Sequence, residues 1–351
     1  MSKTGPANVD NNQISVVETH NLTSDQIALV KSLRDKPTLA AKVLLGVDLE
    51  WYQSEAIEDV WRKRFSIFCW SRQIGKTFSE AVLFALLTVL YPNEDAVFIA
   101  PSLRQAMNPF NYVRDFYNTH AVFRSMVRGK ITKTRIEFKN SSSIIPLPMG
   151  DGSKILGTHA SIIGIDEYAT FTKEFIDTVV MPMANRKKNP NSLGNRLSII
   201  GTPLSKANHY YEEFVRYEKE QARNPNGDYH VSHYTFMDSD NQDLHILLNQ
   251  AKAMPLERFC RENLAEFMSN EGGFFSEELL RACEDMLDIE FKGDPEHIYV
   301  LGIDPPSVNN LGGFVVFKLV NDNKEAEMVF CAGIPATYLP APDLLSLTAR
   351  L

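Results

Sequence analysis

The sequence predicts an α/β fold built on a mostly parallel β-sheet. Four short apolar runs, SIFCW, AVFIA, SIIGI and LSIIG, alternate with segments that have the apolar spacing of helices. Strands that are apolar on both faces are typical of a parallel sheet with helices covering each side. An N-terminal helical segment, from about Thr23 to Gly46, precedes the first of these strands.

Length and composition indicate an ordinary globular protein. The 351 residues are enough for about two domains, and 44% hydrophobic with 23% charged residues is a usual balance. No uninterrupted apolar run is long enough for a membrane span. The four cysteines lie far apart, which predicts neither a zinc site nor a secreted disulfide scaffold but a reducing cytoplasm. The net charge of −8 gives no overall attraction to nucleic acid, and the basic clusters WRKRF and NRKK are interpreted as solvated surface.

The chain divides into four predicted stretches. Residues 1–20 are polar and aperiodic, which predicts a disordered lead. Residues 21–268 contain the alternating strands and helices. Residues 269–297, with the stretch SNEGGFF, form the predicted hinge. Residues 298–351 begin with three closely spaced strand-like runs, which favours an antiparallel meander in a second domain.

The stretch FCWSRQIGKTFSEAVL predicts a strand, a loop and a helix, and the loop ends in Gly75, Lys76 and Thr77. In a phosphate-binding loop (P-loop), backbone N–H groups cradle phosphates, the lysine reaches the β- and γ-phosphates, and the hydroxyl binds Mg²⁺. The usual G-x-x-x-x-G-K-[ST] pattern has a glycine where Trp70 stands. An isolated Gly-Lys-Thr is a weak signal, but its position between an apolar strand and a helix favours nucleotide binding.

A pair of acids follows a second apolar strand in ASIIGIDEYA. Asp166 is predicted to hold the magnesium shell and Glu167 to act as the catalytic base that activates water. Ligands of open α/β sheets bind at the carboxyl ends of the strands, where this pair lies. Alone, the pair could equally face solvent, but together with the loop it favours catalysis.

Two more polar residues are weaker candidates. Thr202 follows the strand in SIIGTP, where a hydroxyl could sense the γ-phosphate or simply begin a turn. Gln53 lies beside Trp51 and Tyr52, where an amide could pair with adenine while an aromatic ring stacks on it. A single glutamine on a helix is more often a surface residue.

Together, WYQ, WSRQIGKT, IIGIDEYA and IIGTP closely resemble the ATPase motor of the large terminase subunit of tailed bacteriophages, over about Leu49 to Phe214. The resemblance implies a P-loop NTPase core with a deviant loop of the form S-R-Q-x-G-K-T, in which Trp70 is expected. It also implies that Arg72 assists ATP binding and hydrolysis, that Gln53 recognises adenine, and that Thr202 couples hydrolysis to movement. The ATP contacts that it implies are Gln53, Ser71, Arg72, Gln73, Gly75, Lys76, Thr77 and Asp166, with Mg²⁺ held by Thr77 and Asp166.

One position departs from the family pattern. Family members often carry an arginine just before the glycine that lies nine residues ahead of the catalytic aspartate, and this arginine is a candidate to act on a neighbouring subunit's ATP. Here that glycine is Gly157 and the preceding residue is Leu156. Lys154 or another basic residue could replace it, so no arginine finger is assigned.

The resemblance also implies a ribonuclease-H-like nuclease domain that uses two metal ions. YVLGIDPP matches the first strand of that domain, with Asp304 in the position of a metal ligand. A two-metal site needs carboxylates from later elements. Residues 298–351 are therefore predicted to be the N-terminal part of an incomplete nuclease, with a second divalent-metal site, and endonuclease activity is left open.

The function implied is that of a viral DNA-packaging motor, which couples ATP hydrolysis to translocation of double-stranded DNA into a procapsid. The implied partners are a portal protein, a small terminase subunit and further copies of the chain in a ring, in the host cytoplasm and transiently on the procapsid. One alternative is a helicase-like translocase, although no second motor domain with its own arginine motifs follows Tyr210. Another is a non-catalytic DNA-binding or scaffold fragment, which should not hydrolyse ATP.

Overall fold

The structure is a computed structural model that describes residues 23–150, 159–184, 195–268, 290, 292–304, 311–322 and 324–335. The chain divides into two compact units, Met1–Gly273 and Phe274–Leu351. Several predicted features lie outside the described residues: the lead at 1–20, the SNEGGFF stretch from Ser269, and Lys154, Leu156 and Gly157.

Seven strands form one sheet in the first unit. In chain order they are β1 (Phe65–Trp70), β2 (Asp95–Ala100), β3 (Ile136–Glu137), β4 (Ser143–Pro148), β5 (Ile162–Ile165), β6 (Arg196–Ile200) and β7 (Tyr229–Tyr234). Their order in the sheet is β3-β4-β2-β5-β6-β1-β7. Every neighbouring pair is parallel except β3 with β4. The predicted α/β fold with a mostly parallel sheet is confirmed.

Helices cover both faces of this sheet. They are α1 (Ser24–Asp35), α2 (Pro37–Ala40), α3 (Trp51–Val60), α4 (Lys76–Leu90), α5 (Leu103–Thr119), α6 (Ala121–Met126), α7 (Lys173–Phe175), α8 (Met181–Met183), α9 (His209–Arg223), α10 (Leu244–Ala253) and α11 (Leu256–Asn263). Two π-helical turns, Ala41–Leu45 and Ile176–Val180, extend α2 and join α7 to α8. Short 3₁₀ turns lie at Tyr168–Thr170 and Phe236–Asp238.

Alternation along β1 divides the core into two clusters. Phe68 and Trp70 belong to the cluster that contains α4, whereas Ile67 and Cys69 belong to the cluster on the other face with Tyr210. Successive side chains of a strand point to opposite faces, so a strand buried on both sides must be apolar throughout. Each buried side chain of this size contributes about 1.5–3 kcal/mol, which fixes the strand between two helical layers.

Two helical predictions need correction. The single helical run expected from about Leu103 to Phe123 is broken at His120, which has the extended backbone angles φ −114° and ψ 117° and separates α5 from α6. The helix expected near Thr172 to Ala184 is a succession of short α and π turns. The apolar spacing is correct in both cases, but spacing alone does not locate a break in backbone hydrogen bonding.

The helix that follows the loop carries a buried acid. α4 is buried on nearly all sides, and Glu80, four residues after Lys76, is fully buried within it. Glu80 packs on Gly164 of β5, where an added methyl group would lie 2.0 Å from Glu80 Oε1 and 2.9 Å from Phe84 Cζ. The missing side chain of Gly164 therefore provides the space that the Glu80 carboxyl group occupies.

The second unit contains a three-stranded antiparallel sheet. Its strands are β8 (Ile298–Asp304), β9 (Leu311–Val320) and β10 (Glu325–Pro335), in the order β10-β9-β8. The close strand spacing in the sequence predicts this meander. No helix among the described residues of the chain is long and apolar enough to cross a bilayer.

We predict that Gly164→Ala lowers the free energy of unfolding by about 1–3 kcal/mol, because the added methyl group overpacks the Glu80 site. Shortening Glu80 to alanine in the same chain should recover part of that loss. The measurement is a double-mutant cycle of chemical unfolding on the wild type, the two single variants and the double variant. Strictly additive losses would contradict the predicted contact.

Candidate functional site

The predicted P-loop joins β1 to α4 at the carboxyl edge of the sheet. Gln73 and Gly75 both have left-handed backbone angles, with φ of 64° and 86°. Gly75 caps α4 without a side-chain hydrogen bond. Gly75 is also restricted by contact, because a methyl group on it would lie 2.6 Å from Gln53 Nε2. Only glycine satisfies both the backbone angle and this approach without strain.

Trp70 is the last residue of β1, and its side chain faces the core rather than the loop. It is fully buried, its Nε1 donates to Ser232 Oγ at 2.8 Å, and its ring meets Tyr52 and Tyr234 edge to face. The position that is glycine in the usual pattern therefore carries a packing residue here. A bulky side chain is compatible with the loop because it points away from it.

Helix α3 holds the loop from one side. Tyr52 Oη donates to the Ile74 carbonyl oxygen at 2.8 Å. Gln53, predicted to recognise adenine, is buried beside Gly75, and its Oε1 accepts the Glu50 backbone N–H at 3.1 Å. The structure thus brings the WYQ segment and the loop together. In this arrangement the Gln53 oxygen completes the cap of α3 while its Nε2 faces the loop.

Lys76 turns back toward the end of β1. Its Nζ donates to the Trp70 carbonyl oxygen at 2.5 Å and to the Ser71 carbonyl oxygen at 3.2 Å, and it lies 3.4 Å from Thr202 Oγ1. Burial lowers the Lys76 pKa to about 8, while anionic groups, Glu167 and Asp166 among them, act in the opposite direction. The lysine therefore lies between the loop and the acid pair.

Asp166 and Glu167 follow β5, next to β6 in the sheet. Asp166 Oδ1 accepts the Glu167 backbone N–H at 2.9 Å. Burial, reinforced by the Glu167 charge, raises the Asp166 pKa to about 6. Glu167 has left-handed angles, φ 56° and ψ 43°, which cost an L-residue about 1–2 kcal/mol. Strain of this size at a strand end is a frequent property of functional residues.

Thr202 is buried just after β6, beside the Lys76 ammonium group. Two residues later, the Leu204 carbonyl oxygen accepts the Met268 N–H at 3.1 Å, and the Met268 carbonyl oxygen accepts the Lys206 N–H at 2.8 Å. Thr202 is therefore joined through a short backbone segment to the last described residue of the first unit. No sequence signal predicts this pairing.

Arg72 extends from the loop toward α11. Its backbone N–H donates to the Glu262 carbonyl oxygen at 2.8 Å, and its Nη1 lies 3.6 Å from Glu262 Oε1. Arg258 Nε also lies 3.0 Å from Glu262 Oε1. Glu262 is not among the predicted site residues, because 190 positions separate it from Arg72 in the sequence.

The loop fits a phosphate group on two observations. The first-turn N–H groups of α4 have no side-chain cap, and a helix N-terminus of this kind favours anions. Ser71 Oγ is buried and has no hydrogen-bond partner in the described part of the chain. Thr77 lies half-buried in the first turn of α4. With Asp166, its hydroxyl gives the oxygen donors that suit Mg²⁺.

Glu80 is the buried charge that sequence reasoning missed. Burial, with a contribution from the Asp166 charge, raises its pKa well above the ordinary value. Neither carboxyl oxygen has a hydrogen-bond partner among the described residues. Because Gly164 and Asp166 are two residues apart, their side-chain positions share one face of β5, which places Glu80 behind Asp166. An acid inside the otherwise apolar FSEAVLFALL was the available signal.

Asp304 stands apart from these residues, at the end of β8 in the second unit. It lines an open depression of about 500 Å³ with Gly302, Gly313, Phe314 and Cys331. Within the described residues, no three His, Cys, Asp or Glu side chains are grouped so that they could hold a metal ion.

A family model described as "Terminase large subunit, T4likevirus-type, N-terminal" matches residues 67–282. The match begins inside β1 and includes the loop, the acid pair, Thr202 and Glu262, but not Gln53. No curated protein sequence matches the chain significantly.

Solved phage terminases have the same fold. The ATPase domain of the large terminase of Thermus phage P74-26 is 19% identical, with 66% of this chain and 99% of that chain covered and a TM-score of 0.54. The HK97 bacteriophage large terminase is 17% identical, covers 87% and 66%, and has a TM-score of 0.52. The large terminase of another thermophilic bacteriophage, in complex with ATP-gamma-S, is 13% identical, covers 87% and 74%, and has a TM-score of 0.50.

Proposed function

The chain belongs to the T4likevirus-type family of terminase large subunits, phage DNA-packaging motor ATPases, and on this premise we propose how its residues bind and hydrolyse ATP. The observation that carries the proposal is the convergence of three strand ends. Lys76 lies within 3.4 Å of Thr202 Oγ1 and is influenced by the charges of Asp166 and Glu167. Glycine, lysine, acid pair and hydroxyl thus share one edge of the sheet.

The ATP phosphates bind to the N–H groups of the loop and of the first turn of α4. Lys76 leaves the carbonyl oxygens of Trp70 and Ser71 and donates to the β- and γ-phosphates instead. A phosphate also competes with Glu262 for Arg72, because that ion pair is partly exposed and therefore weak. Gln53 Nε2 faces the same loop, and Ser71 and Gln73 contribute polar groups on either side of Arg72.

Glu167 activates water for attack on the γ-phosphate. Its left-handed backbone directs it independently of Asp166, which holds the Glu167 N–H. When bound, Mg²⁺ supplies charge neutralisation at the phosphate oxygens, and Thr77 and Asp166 are the residues that would hold it. Thr202, beside the lysine, is placed to sense the loss of the γ-phosphate and to couple it to movement.

The wider assembly follows from the family. Double-stranded DNA is the translocated partner, and a portal protein, a small terminase subunit and a ring of identical subunits complete the motor. It acts in the host cytoplasm and transiently on the procapsid. A ring keeps hold of DNA through several weak contacts even when each subunit is acidic. Family membership favours this motor over the helicase-like alternative.

The β8–β10 sheet of the second unit is proposed as the opening of a ribonuclease-H-like nuclease, with Asp304 as one metal ligand. The supporting observation is the antiparallel meander that places Asp304 at a strand end. The measurement is Mn²⁺-dependent nicking of plasmid DNA by the chain and by Asp304→Ala. Equal nicking by both proteins would remove Asp304 from that role.

ATP affinity is predicted to fall as pH rises through about 8. Burial lowers the Lys76 pKa to about 8, so above that pH the free protein loses the ammonium charge that the phosphates need. Once Lys76 is neutral, affinity should drop by up to about tenfold per pH unit. Titration with a fluorescent ATP analogue between roughly pH 7.5 and 9.5 measures this, and Lys76→Ala should bind weakly with no such slope. The same slope in both proteins would contradict the assignment.

Glu167→Gln should abolish turnover and retain ATP binding, because the amide keeps the shape of the side chain but cannot accept the proton of water. The expected loss of kcat is about 10²–10⁴-fold. Phosphate release with and without duplex DNA is the measurement, and Glu174→Gln, an exposed acid nearby on α7, is the matched control. A wild-type chain that binds ATP but never hydrolyses it would support the scaffold alternative.

A further inference from the structure

Residues 128–135, RGKITKTR, carry four cations and no acid, whereas the whole chain has a net charge of −8. Arg128, Lys130, Lys133 and Arg135 are all exposed. We name this segment the basic tip, because it forms the end of the hairpin that enters β3. Its charge is opposite in sign to that of the chain as a whole.

A buried base holds the basic tip in place. Val127 pairs with Phe138, the Arg128 N–H donates to the Glu137 carbonyl oxygen at 2.7 Å, and both Val127 and Phe138 are buried. Within the tip, Ile131 packs against the core and the Thr132 N–H donates to the Arg135 carbonyl oxygen at 3.0 Å. The cations therefore stand on a fixed backbone, which reduces the entropy lost when a ligand binds.

The tip points toward the edge of the sheet where the P-loop lies. β3 is antiparallel to β4, with Ile136 opposite Ile144, and β4 is parallel to β2. Residues that precede Ile136 therefore extend toward the carboxyl ends of the parallel strands. The basic tip leaves the β3 side of the sheet at the same edge as the ATP-binding residues, several strands away from them.

The tip cations are available to a ligand. Arg135 Nε lies 2.7 Å from Glu137 Oε1, in an exposed pair that contributes little. Arg128, Lys130 and Lys133 have no carboxylate within 4.0 Å among the described residues. The WRKRF cluster differs: Arg62 pairs with Asp35, and Lys63 donates to the carbonyl oxygens of Pro225 and Gly227. Positive charge is used structurally there and left open at the tip.

From this arrangement we propose that the basic tip binds the phosphate backbone of double-stranded DNA. Its residues are charged, glycine or threonine apart from the inward-packed Ile131, so it lacks the exposed aromatic anchors of a protein interface. Cations on a polar, fixed hairpin suit repeating phosphates, and such contacts position a duplex without reading its sequence. The biological meaning of this contact rests on the proposed motor function, in which DNA is the substrate for translocation.

The test is duplex binding by the full chain without nucleotide, followed by fluorescence anisotropy between roughly 50 and 200 mM salt. Losing two phosphate contacts in Lys130→Ala/Lys133→Ala should lower the salt slope by about 1.8 and the affinity by roughly 10- to 100-fold near 0.1 M salt. Lys130→Arg/Lys133→Arg should bind like the wild type. The matched control is Lys31→Ala/Lys219→Ala, which removes two exposed lysines elsewhere.

An unchanged salt slope in the tip variant, or an equal loss in the control, would overturn the proposal. So would a wild-type chain that does not bind duplex at the lowest salt. Altered self-association with unchanged DNA binding, measured by sedimentation, would show that the tip contacts an acidic protein surface instead. ATP hydrolysis without DNA should be the same in wild type and tip variant, and a chain with no hydrolysis at all would refute the proposed function while leaving this binding test intact.

Discussion

The whole site depends on the register between β1, β6 and β5. Ile67 and Ile165 both pair with Ile199, so the three strands end at nearly the same level and the residues that follow them meet. A slip of one residue would turn each strand's side chains to the opposite face. Because both faces are buried, that slip is strongly unfavourable. The positions of loop, acid pair and threonine are therefore a consequence of the sheet rather than of the loops that carry them.

Burial acts on three ionisable groups around this edge in one chemical direction, toward the neutral form. It lowers the pKa of Lys76 and raises the pKa values of Asp166 and Glu80. Without a ligand, the site thus keeps its charges in an environment that favours their loss. A polyanion beside the lysine and a cation beside the aspartate would each restore the charged form. This gives the free protein a reason to bind both together.

The sequence predicted the fold and the site motifs well, because both rest on local signals. Apolar runs predict buried strands, and Gly75-Lys76-Thr77 and Asp166-Glu167 follow two of them directly. It did not predict the contacts of Glu262 with Arg72 or of Glu80 with Gly164, since these join segments far apart in the chain. Trp70 shows the limit of pattern matching, because its compatibility depends on which way one side chain points.

The backbone pairing of Leu204 with Met268 gives the first unit a tether. Two hydrogen bonds there join the segment after Thr202 to the chain just before it continues toward the second unit. Hydrogen-bonded backbone is stiff along its length, so a shift of the β6 end of even a fraction of an ångström pulls directly on that outgoing segment. The γ-phosphate sensor and the exit of the domain are thus two ends of one short lever, without a side chain between them.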